Sequence, residues 1–555
     1  MSHLRPRAEL ATHEVTNQPP PLEDYNLYEA DPGLKEALHR HGAGWAEERV
    51  RALGAELGTA DAIEHGHLAN EFPPGLKTFD RYGHRVDEAV FHPSYHHMME
   101  IGFRHGVPSI AWSADRGGHV AHTAMHYMLY QVESGVCCPL TMTYAAMPAL
   151  IQTPEATLQW RSGIVSRTYD GSSRPAPEKS GLTIGMAMTE KQGGSDVRAN
   201  STRAVAVGSG GPGGEYELTG HKWFCSAPMC DAFLTLAYTD EGLSCFLLPR
   251  WRPDGSRNSF QLMRLKDKLG NKSNASSEIE YHGAHAIMIG EEGRGVRTII
   301  DMVMHTRLDC TTAPAALMRQ AVMQAAHHVE HRMAFQKKLI QQPLMRNVIA
   351  DLALEQEAAT AMSFAVAQAY DDGMTDPARA AFARIAVSIA KYWTNKRVVP
   401  VVNEAMECFG GVGYVNETIM PRLYRESPLN GIWEGSGNVI CLDVLRAMQR
   451  EPEALQLFCR ELLDAKGRDT RLDAAIEDVL AEFERLDGIE TRARRIVEKL
   501  ALTWQAALLT AHAPSAVAEA FIAGRLSDDR GLVFGTLPDG LDLQPLIDRA
   551  VPVAE

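Results

Sequence analysis

The apolar positions of this chain fall into successive patterns of different period. Over residues 34–167 they recur at helical spacing, with Leu34, Leu38 and Trp45 on one stripe and residues 94–103 repeating it. Pro108, Pro139 and Pro154 read as helix starts. Near Ser180 the character changes. Segments 182–188, 203–207, 216–218, 233–237, 245–248 and 277–281 are short, rich in β-formers and divided by Gly, Asn and Asp. From 296 to 448 long helical patterns return, dense in Ala and Leu over 311–330, 348–370 and 377–397, as a bundle requires. Beyond 442 the pattern stays helical. Leu455, Phe458, Leu462 and Leu463 line one face there, and Ile496, Leu500, Trp504 and Leu508 another.

These patterns predict an α+β chain, mostly helical, in five parts. A polar arm, 1–30, carries Gln18 and three prolines and is expected to be extended, either disordered or packed on a neighbouring subunit. A helical domain follows at 31–180, a β-domain at 181–290, a helical bundle at 291–445 and a helical extension at 446–555. At 555 residues the chain is too long for one core. Its 45% apolar and 23% charged content is that of a soluble globular protein. No stretch approaches about 20 apolar residues, so no membrane span is expected. The first residues, Met1 to Arg7, lead into no apolar run and do not read as a secretory signal.

The nine cysteines, scattered and without a CxxC, argue against a disulfide framework or zinc ribbon and suit a reducing cytoplasm. His92, His96 and His97 could share a helix face. With no acidic or thiol partner in a ligand pattern they read as surface histidines, and no metal is expected. The net charge of −15 disfavours a globally basic nucleic-acid binder but leaves room for a local patch.

Three glycine-bearing segments carry the candidate chemistry. Ile432-Trp433-Glu434-Gly435-Ser436-Gly437-Asn438 sets a lone carboxylate beside an indole. Desolvation there raises the pKa of an acid and strengthens it as a base; the plain alternative is an acidic first turn of a helix. Thr189-Glu190-Lys191-Gln192-Gly193-Gly194-Ser195-Asp196 follows a buried strand. Its exposed N–H groups and hydroxyls suit an electron-rich ring or phosphate, or form only a polar turn. Gly410, Gly411 and Gly413 lie between helical patterns and could equally end a helix.

Together these segments resemble the acyl-CoA dehydrogenase flavoprotein family. The second matches that family's Thr-Glu-x-x-Gly-Gly-Ser-Asp motif. The third matches its Gly-Gly-x-Gly motif, with Glu417, Arg422 and Glu426 downstream. The first stands where the family carries its catalytic base. Arg332 to Leu339 is similar to the family's Arg-x-x-Phe-Gly-x-x-Leu, with Gln336 for Gly. Residues 17–22, 188–196 and 433–446 look like the AidB branch, the adaptive-response alkylation proteins, which the helical extension also suits.

The resemblance implies an FAD-dependent oxidoreductase acting on acyl-CoA thioesters, with Glu434 as the base. Met188, Thr189, Gly194 and Ser195 would contact the flavin and its phosphates. Trp223 would stack at the ring edge, and Ser226 would line the site. Cys225 would stand where the family commonly has a Thr whose hydroxyl reaches the redox nitrogen. Arg332 would pair with the pyrophosphate and Phe335 with the adenine side, while Gly410, Gly411 and Gly413 would reach across a dimer interface in a homotetramer. Trp433, Ser436 and Asn438 would flank the base and the cofactor. Arg307 is a candidate for the CoA moiety.

The AidB branch also implies association with double-stranded DNA through the extension. Residues 442–555 hold 14 Lys and Arg against 21 Asp and Glu, poor material for a broad phosphate-binding face. Within them Arg492, Arg494, Arg495 and Lys499 cluster within two helical turns, and Arg446, Arg525 and Arg530 could join them; the plain alternative is a solvated helix face. Three activities remain open at this point: acyl-CoA oxidation, a DNA-associated flavoprotein with weak or vestigial catalysis, and a relative that uses oxygen on another substrate.

Overall fold

The computed structural model describes residues 10–551 apart from 486; the reading of residues 1–7 lies outside them. The first helices are α1 (Pro32–Arg40), α2 (Glu47–Leu57), α3 (Ala60–Glu71), α4 (Pro93–His105), α5 (Gly118–Val132), α6 (Ser134–Ala145), α7 (Met147–Leu150) and α8 (Leu158–Ile164). Asp31 caps α1 by accepting from the Leu34 N–H, with Pro32 in the first turn. Every residue of α5 is buried, three histidines included, so its polar groups must find partners inside the protein.

Two expectations fail in this region. A hairpin of β1 (Gly75–Phe79) and β2 (Arg85–Val90) interrupts the helices. Its sequence is too polar to announce itself, because β1 has no fully buried position. Pro139 does not start a helix but lies inside α6, while Pro108 and Pro154 precede turns rather than α-helices.

The β-domain holds β3 (Ile184–Ala187), β4 (Arg203–Val207), β5 (Glu215–Ser226), β6 (Ala232–Thr239), β7 (Gly242–Pro249), β8 (Phe260–Leu265) and β9 (Ser276–Ile289). The pairings β6–β4–β5–β9–β7 return to β6 and close the sheet, with β3 added parallel to β6 and β8 added to β9. Closure removes the free edges that such short strands would otherwise expose.

The bundle consists of α9 (Gly295–His331), α10 (Pro343–Gly373) and α11 (Pro377–Glu407). A two-residue hairpin, β10 (Met333–Ala334) and β11 (Lys337–Lys338), links α9 to α10. Then come α12 (Met420–Glu426), α13 (Gly437–Arg450), α14 (Pro452–Leu463), α15 (Thr470–Glu482), α16 (Ile489–His512), α17 (Ser515–Arg525) and α18 (Gln544–Ala550). One apolar core joins the N-terminal helices, the bundle and the extension; a second fills the β-domain. Leu463 is an exception to its predicted stripe and is exposed. The arm lies on its own chain rather than being left free: Asn17 bonds the backbone of Met333, and His327 bonds the Pro20 carbonyl.

The loop that leaves β3 is folded around a buried carboxylate. Glu190 and Lys222 of β5 form an ion pair at 2.9 Å, both side chains fully buried. Glu190 also accepts from the hydroxyls of Ser201 and Thr202 and from the Ser201 N–H. Burial works to raise its pKa, but Lys222 and these donors outweigh it and hold the carboxyl well below the usual range. The motif acid is therefore an anchor for residues 189–202, not a ligand. Lys222→Met should destabilise the protein by about 3–5 kcal/mol, because it strands a buried charge; chemical denaturation measures this. In the native protein the Glu190 contribution is complete above the ordinary carboxylate pKa and is lost as pH falls below it.

Candidate active site

Glu434 sits in a tight turn between Leu429–Gly431 and α13. Its φ is +56° and that of Gly435 is +103°. A non-glycine residue in the left-handed region persists where its surroundings over-determine it, and here they do. Lys391 of α11, 1% exposed, donates to the carbonyls of Asn430 at 3.1 Å, Trp433 at 2.9 Å and Gly435 at 2.7 Å. Arg307 of α9 donates to the Glu434 carbonyl at 3.1 Å and pairs with Asp443 at 2.8 Å. The Trp433 indole N–H donates to Asn430, which donates in turn to the Tyr130 hydroxyl.

The carboxyl itself turns back to α9, where Thr306 donates to one oxygen at 2.9 Å. Since α13 begins at Gly437, Glu434 is not a first-turn acid. Burial raises its pKa, and Thr306, Arg307 and Lys391 offset only part of the rise.

This carboxyl lines a cavity of about 490 Å³ between the β-domain and the helices. Met188, Thr189, Gly194, Ser195, Ser226, Trp433 and Ser436 share its walls. Gly193 has φ +141°, and a Cβ on Gly194 would strike the Thr189 hydroxyl at 2.5 Å, so both glycines are required where they stand.

The structure corrects the β5 assignments. Phe224 and Ser226 line the cavity, whereas the Cys225 thiol points into the β-core, where burial pushes it up to about 12. Trp223 faces a cationic surface, with Lys266 3.3 Å from its ring centre. Strand side chains alternate, so Phe224 and Ser226 share the cavity face and Ser226 supplies the hydroxyl. Asn438 is exposed on α13 and lines no wall of the cavity.

Arg332, Phe335, Gly410, Gly411 and Gly413 lie outside this cavity. Arg332 donates to the Asn17 carbonyl at 2.5 Å. Phe335 and Gln336 form the turn of the β10–β11 hairpin with φ of +52° and +64°, which is why glycine suits position 336. Phe335 is 92% exposed. Phe409, beside Gly410, stacks on His328 of α9 at 4.3 Å, so hairpin and glycine turn occupy one end of the molecule. Arg307, clamped on the base turn, is not a surface group for CoA.

The histidine reading also changes. His92 caps α4, and His96 bonds the Tyr169 hydroxyl. His97 meets His65 and Asp61 of α3 with ligand atoms within 4.8 Å, so it does have an acidic neighbour. Its ring lies against that of His65 at 4.0 Å.

Several site groups gave no signal in the sequence: Thr306 and Lys391, which sit in long helices, and Lys268 and Asn271 in the β8–β9 loop. Lys268 lines the cavity, and burial lowers its pKa to about 8. It donates to Ser276 and to the Asn274 carbonyl, and it has no carboxylate partner among the described residues. The Nδ2 of Asn271, another wall residue, is buried without a partner among the described residues.

Of the extension's arginines, Arg492 pairs with Glu482 and Arg494 bonds the Tyr392 hydroxyl. Arg446, Arg495 and Arg530 are exposed. Among the described residues no helix is long and apolar enough to cross a membrane.

Because the Glu434 pKa is raised on folding, its ionisation is a cost that is absent below the unfolded carboxylate value and present above the raised one. Glu434→Gln should therefore unfold at a higher temperature than the native protein at neutral pH. The gap should close as pH falls below about 4; melting curves across pH test this.

Family models agree with this architecture segment by segment. Residues 17–171 match the adaptive response protein AidB N-terminal domain, 185–284 the acyl-CoA dehydrogenase middle domain and 293–449 the acyl-CoA dehydrogenase C-terminal domain. The chain is 44% identical to the putative acyl-CoA dehydrogenase AidB of Escherichia coli, over 94% of this chain and 95% of that one. It is 31% identical to acyl-CoA dehydrogenase family member 11 of Caenorhabditis elegans, over 88% and 84%. The crystal structure of Caenorhabditis elegans ACDH-11 in complex with C11-CoA superposes with a TM-score of 0.83 at 28% identity, covering 93% of this chain and 92% of that one. The chain belongs to the acyl-CoA dehydrogenase family of FAD-dependent oxidoreductases, in its AidB branch.

Proposed function

We propose that this protein oxidises acyl-CoA thioesters at the carbons next to the carbonyl, with Glu434 as the base. The observation that carries this reading is a carboxyl of raised pKa, held rigidly in the wall of a cavity whose β-domain side is lined with donors. Those donors fit an isoalloxazine. Thr189, Ser195, Ser226 and Ser276 offer hydroxyls and Lys268 an ammonium without a carboxylate partner among the described residues, against a ring rich in acceptors. FAD, when bound, supplies the acceptor for the hydride that leaves the β-carbon.

Glu434 takes the α-proton, so the thioester loses one proton and one hydride and becomes an α,β-unsaturated thioester. Thr306 keeps one carboxyl oxygen occupied and leaves the other to point at the substrate. The backbone N–H of Glu434 serves as a donor to the thioester carbonyl; such donors are worth about 3–4 kcal/mol. Trp433 and Phe224 exclude water from the reacting carbons. The C11-CoA held by the nematode relative supports an acyl-CoA substrate.

Adding a panel of acyl-CoAs to the yellow protein without oxygen should bleach its colour. Glu434→Gln should keep the flavin and lose the bleaching rate by about 10²–10⁴-fold, the usual contribution of a general base. Unchanged bleaching in that variant refutes the assignment.

The exposed Phe335 and the glycine turn at one end of the molecule suit contact with the FAD of a partner subunit, in a dimer or dimer of dimers. Arg332 would reach that FAD by exchanging its bond to Asn17 for phosphate oxygens. Nine free thiols suit a cytoplasmic location.

For DNA, three exposed arginines without an ion pair among the described residues, Arg446, Arg495 and Arg530, provide a small basic set. A duplex held by these three should lose affinity with salt on a log–log slope near −3, about one counterion for each phosphate contact. A gel shift across salt concentrations measures it, and a flat profile removes DNA from the function.

A further inference from the structure

Helices α3 and α4 carry a group of side chains that the acyl-CoA cavity does not use. Asp61 and His65 stand one turn apart on α3 and so share a face. His97 reaches them from α4, its ring 4.0 Å from that of His65. The Asp61 Oδ2 lies 3.6 Å from the His65 Nε2, too far for a good hydrogen bond. One ligand atom from each of the three residues falls within 4.8 Å of the others. An acid in the first turn is favourable on any helix, but that gives no reason for two imidazoles to converge on it.

The His65 Nδ1 lies 2.9 Å from the hydroxyl of Ser94, a buried residue at the start of α4. That contact fixes the ring and leaves Nε2 on the Asp61 side. Histidines that bind metals are commonly oriented by such a hydrogen bond on the other ring nitrogen. His97 is half-buried and spends neither ring nitrogen on a hydrogen bond among the described residues. The place is open to an ion from solvent, because the side chains of Asp61 and His65 are 69% and 27% exposed. Around zinc, bonds of about 2.0–2.2 Å set the ligand atoms about 3.4 Å apart. Rotation of the exposed Asp61 carboxylate and of the His97 ring closes the remaining distance.

We propose that Asp61, His65 and His97 bind a divalent transition-metal ion that ties α3 to α4. Two imidazole nitrogens and one carboxylate oxygen suit zinc and its neighbours, not calcium or magnesium, which seek oxygen alone. Three protein ligands leave the remaining position to water. The spacing of His92, His96 and His97 hid this set. Only His97 belongs to it, and its partners lie on the helix before the β1–β2 hairpin. The ion bridges the two helices between which that hairpin is strung, so its binding favours the folded chain. This site and the acyl-CoA reading stand or fall separately.

The test uses the full flavin-loaded chain, stripped of metal with a chelator and dialysed. Calorimetry with zinc should find one tight site per chain, and cobalt should give a visible absorption band there that zinc removes. His65→Ala and His97→Ala should each weaken this site at least about 100-fold, and Ser94→Ala, which removes only the support of the His65 ring, about tenfold. Zinc should raise the melting temperature of the native chain and leave that of His97→Ala where it was. Retained flavin colour shows that each variant is folded. His327 and His331 are another pair one turn apart, each with a ring nitrogen on a backbone carbonyl; His331→Ala should leave the zinc site unchanged. A native chain that takes up no zinc, or binds it no tighter than magnesium, overturns the proposal. So does a zinc site that survives His97→Ala or is lost in His331→Ala.

Discussion

Two buried cations fix the Glu434 turn without touching its carboxyl. Lys391 binds three turn carbonyls, and Arg307 binds a fourth and Asp443. Had either guanidinium or ammonium paired with the carboxylate, the attraction would have lowered the pKa and weakened the base. The fold instead uses the cations on backbone oxygens, where they hold position, and gives the carboxyl one neutral donor, Thr306. Orientation and basicity are thus set by different groups. The left-handed backbone at Glu434 is the cost of aiming the carboxyl back at α9.

The same division explains what could be read from the sequence. Glu434 and the Thr189–Asp196 segment were legible because their glycines answer backbone demands: Gly193 at φ +141°, Gly194 packed beneath Thr189, Gly435 at φ +103°. Such demands leave short contiguous signatures. Lys391 and Thr306 leave none. Each is one polar residue in a long helix, and only the packing of α9 and α11 on the turn gives it a role. The β5 assignment failed for a related reason. Motif spacing placed Trp223 and Cys225 at the flavin, but the register shifts between Lys222 and Cys225, and a one-residue error moves every side chain to the opposite face. The α+β order and the helical bundle came through because they rest on long periodic stretches.

The cavity lies between the two apolar cores, and this explains its uneven chemistry. Its β-domain wall is a set of loop donors, where Lys268 and Asn271 have unmet capacity. Its helical wall carries the His122–Asp309 pair inside α5 and α9, elements buried almost throughout. Paired to each other, these groups meet the hydrogen-bonding need that such depth imposes on polar side chains.

The extension bears on the DNA reading through where its cations go. Arg525 pairs with Asp351 and Glu355 on α10, and Arg549 with Glu36 and Glu357. The three α10 acids are all buried, so without these arginines the bundle would carry uncompensated charge. Trp504 of α16 packs with Phe382 and Phe458, and Gln505 accepts from the Trp393 indole, which makes α14 and α16 part of the bundle's core. Arg471, Arg492 and Lys499 are taken by acids of the extension itself. A segment that spends Arg525 and Arg549 on the bundle's buried acids buttresses that bundle. Any phosphate contact falls to arginines without an ion pair among the described residues, Arg446, Arg495 and Arg530 among them, set against a segment of net charge −7. Repulsion from that charge confines an approaching duplex to their immediate neighbourhood, because screening in physiological salt extends only about 8 Å.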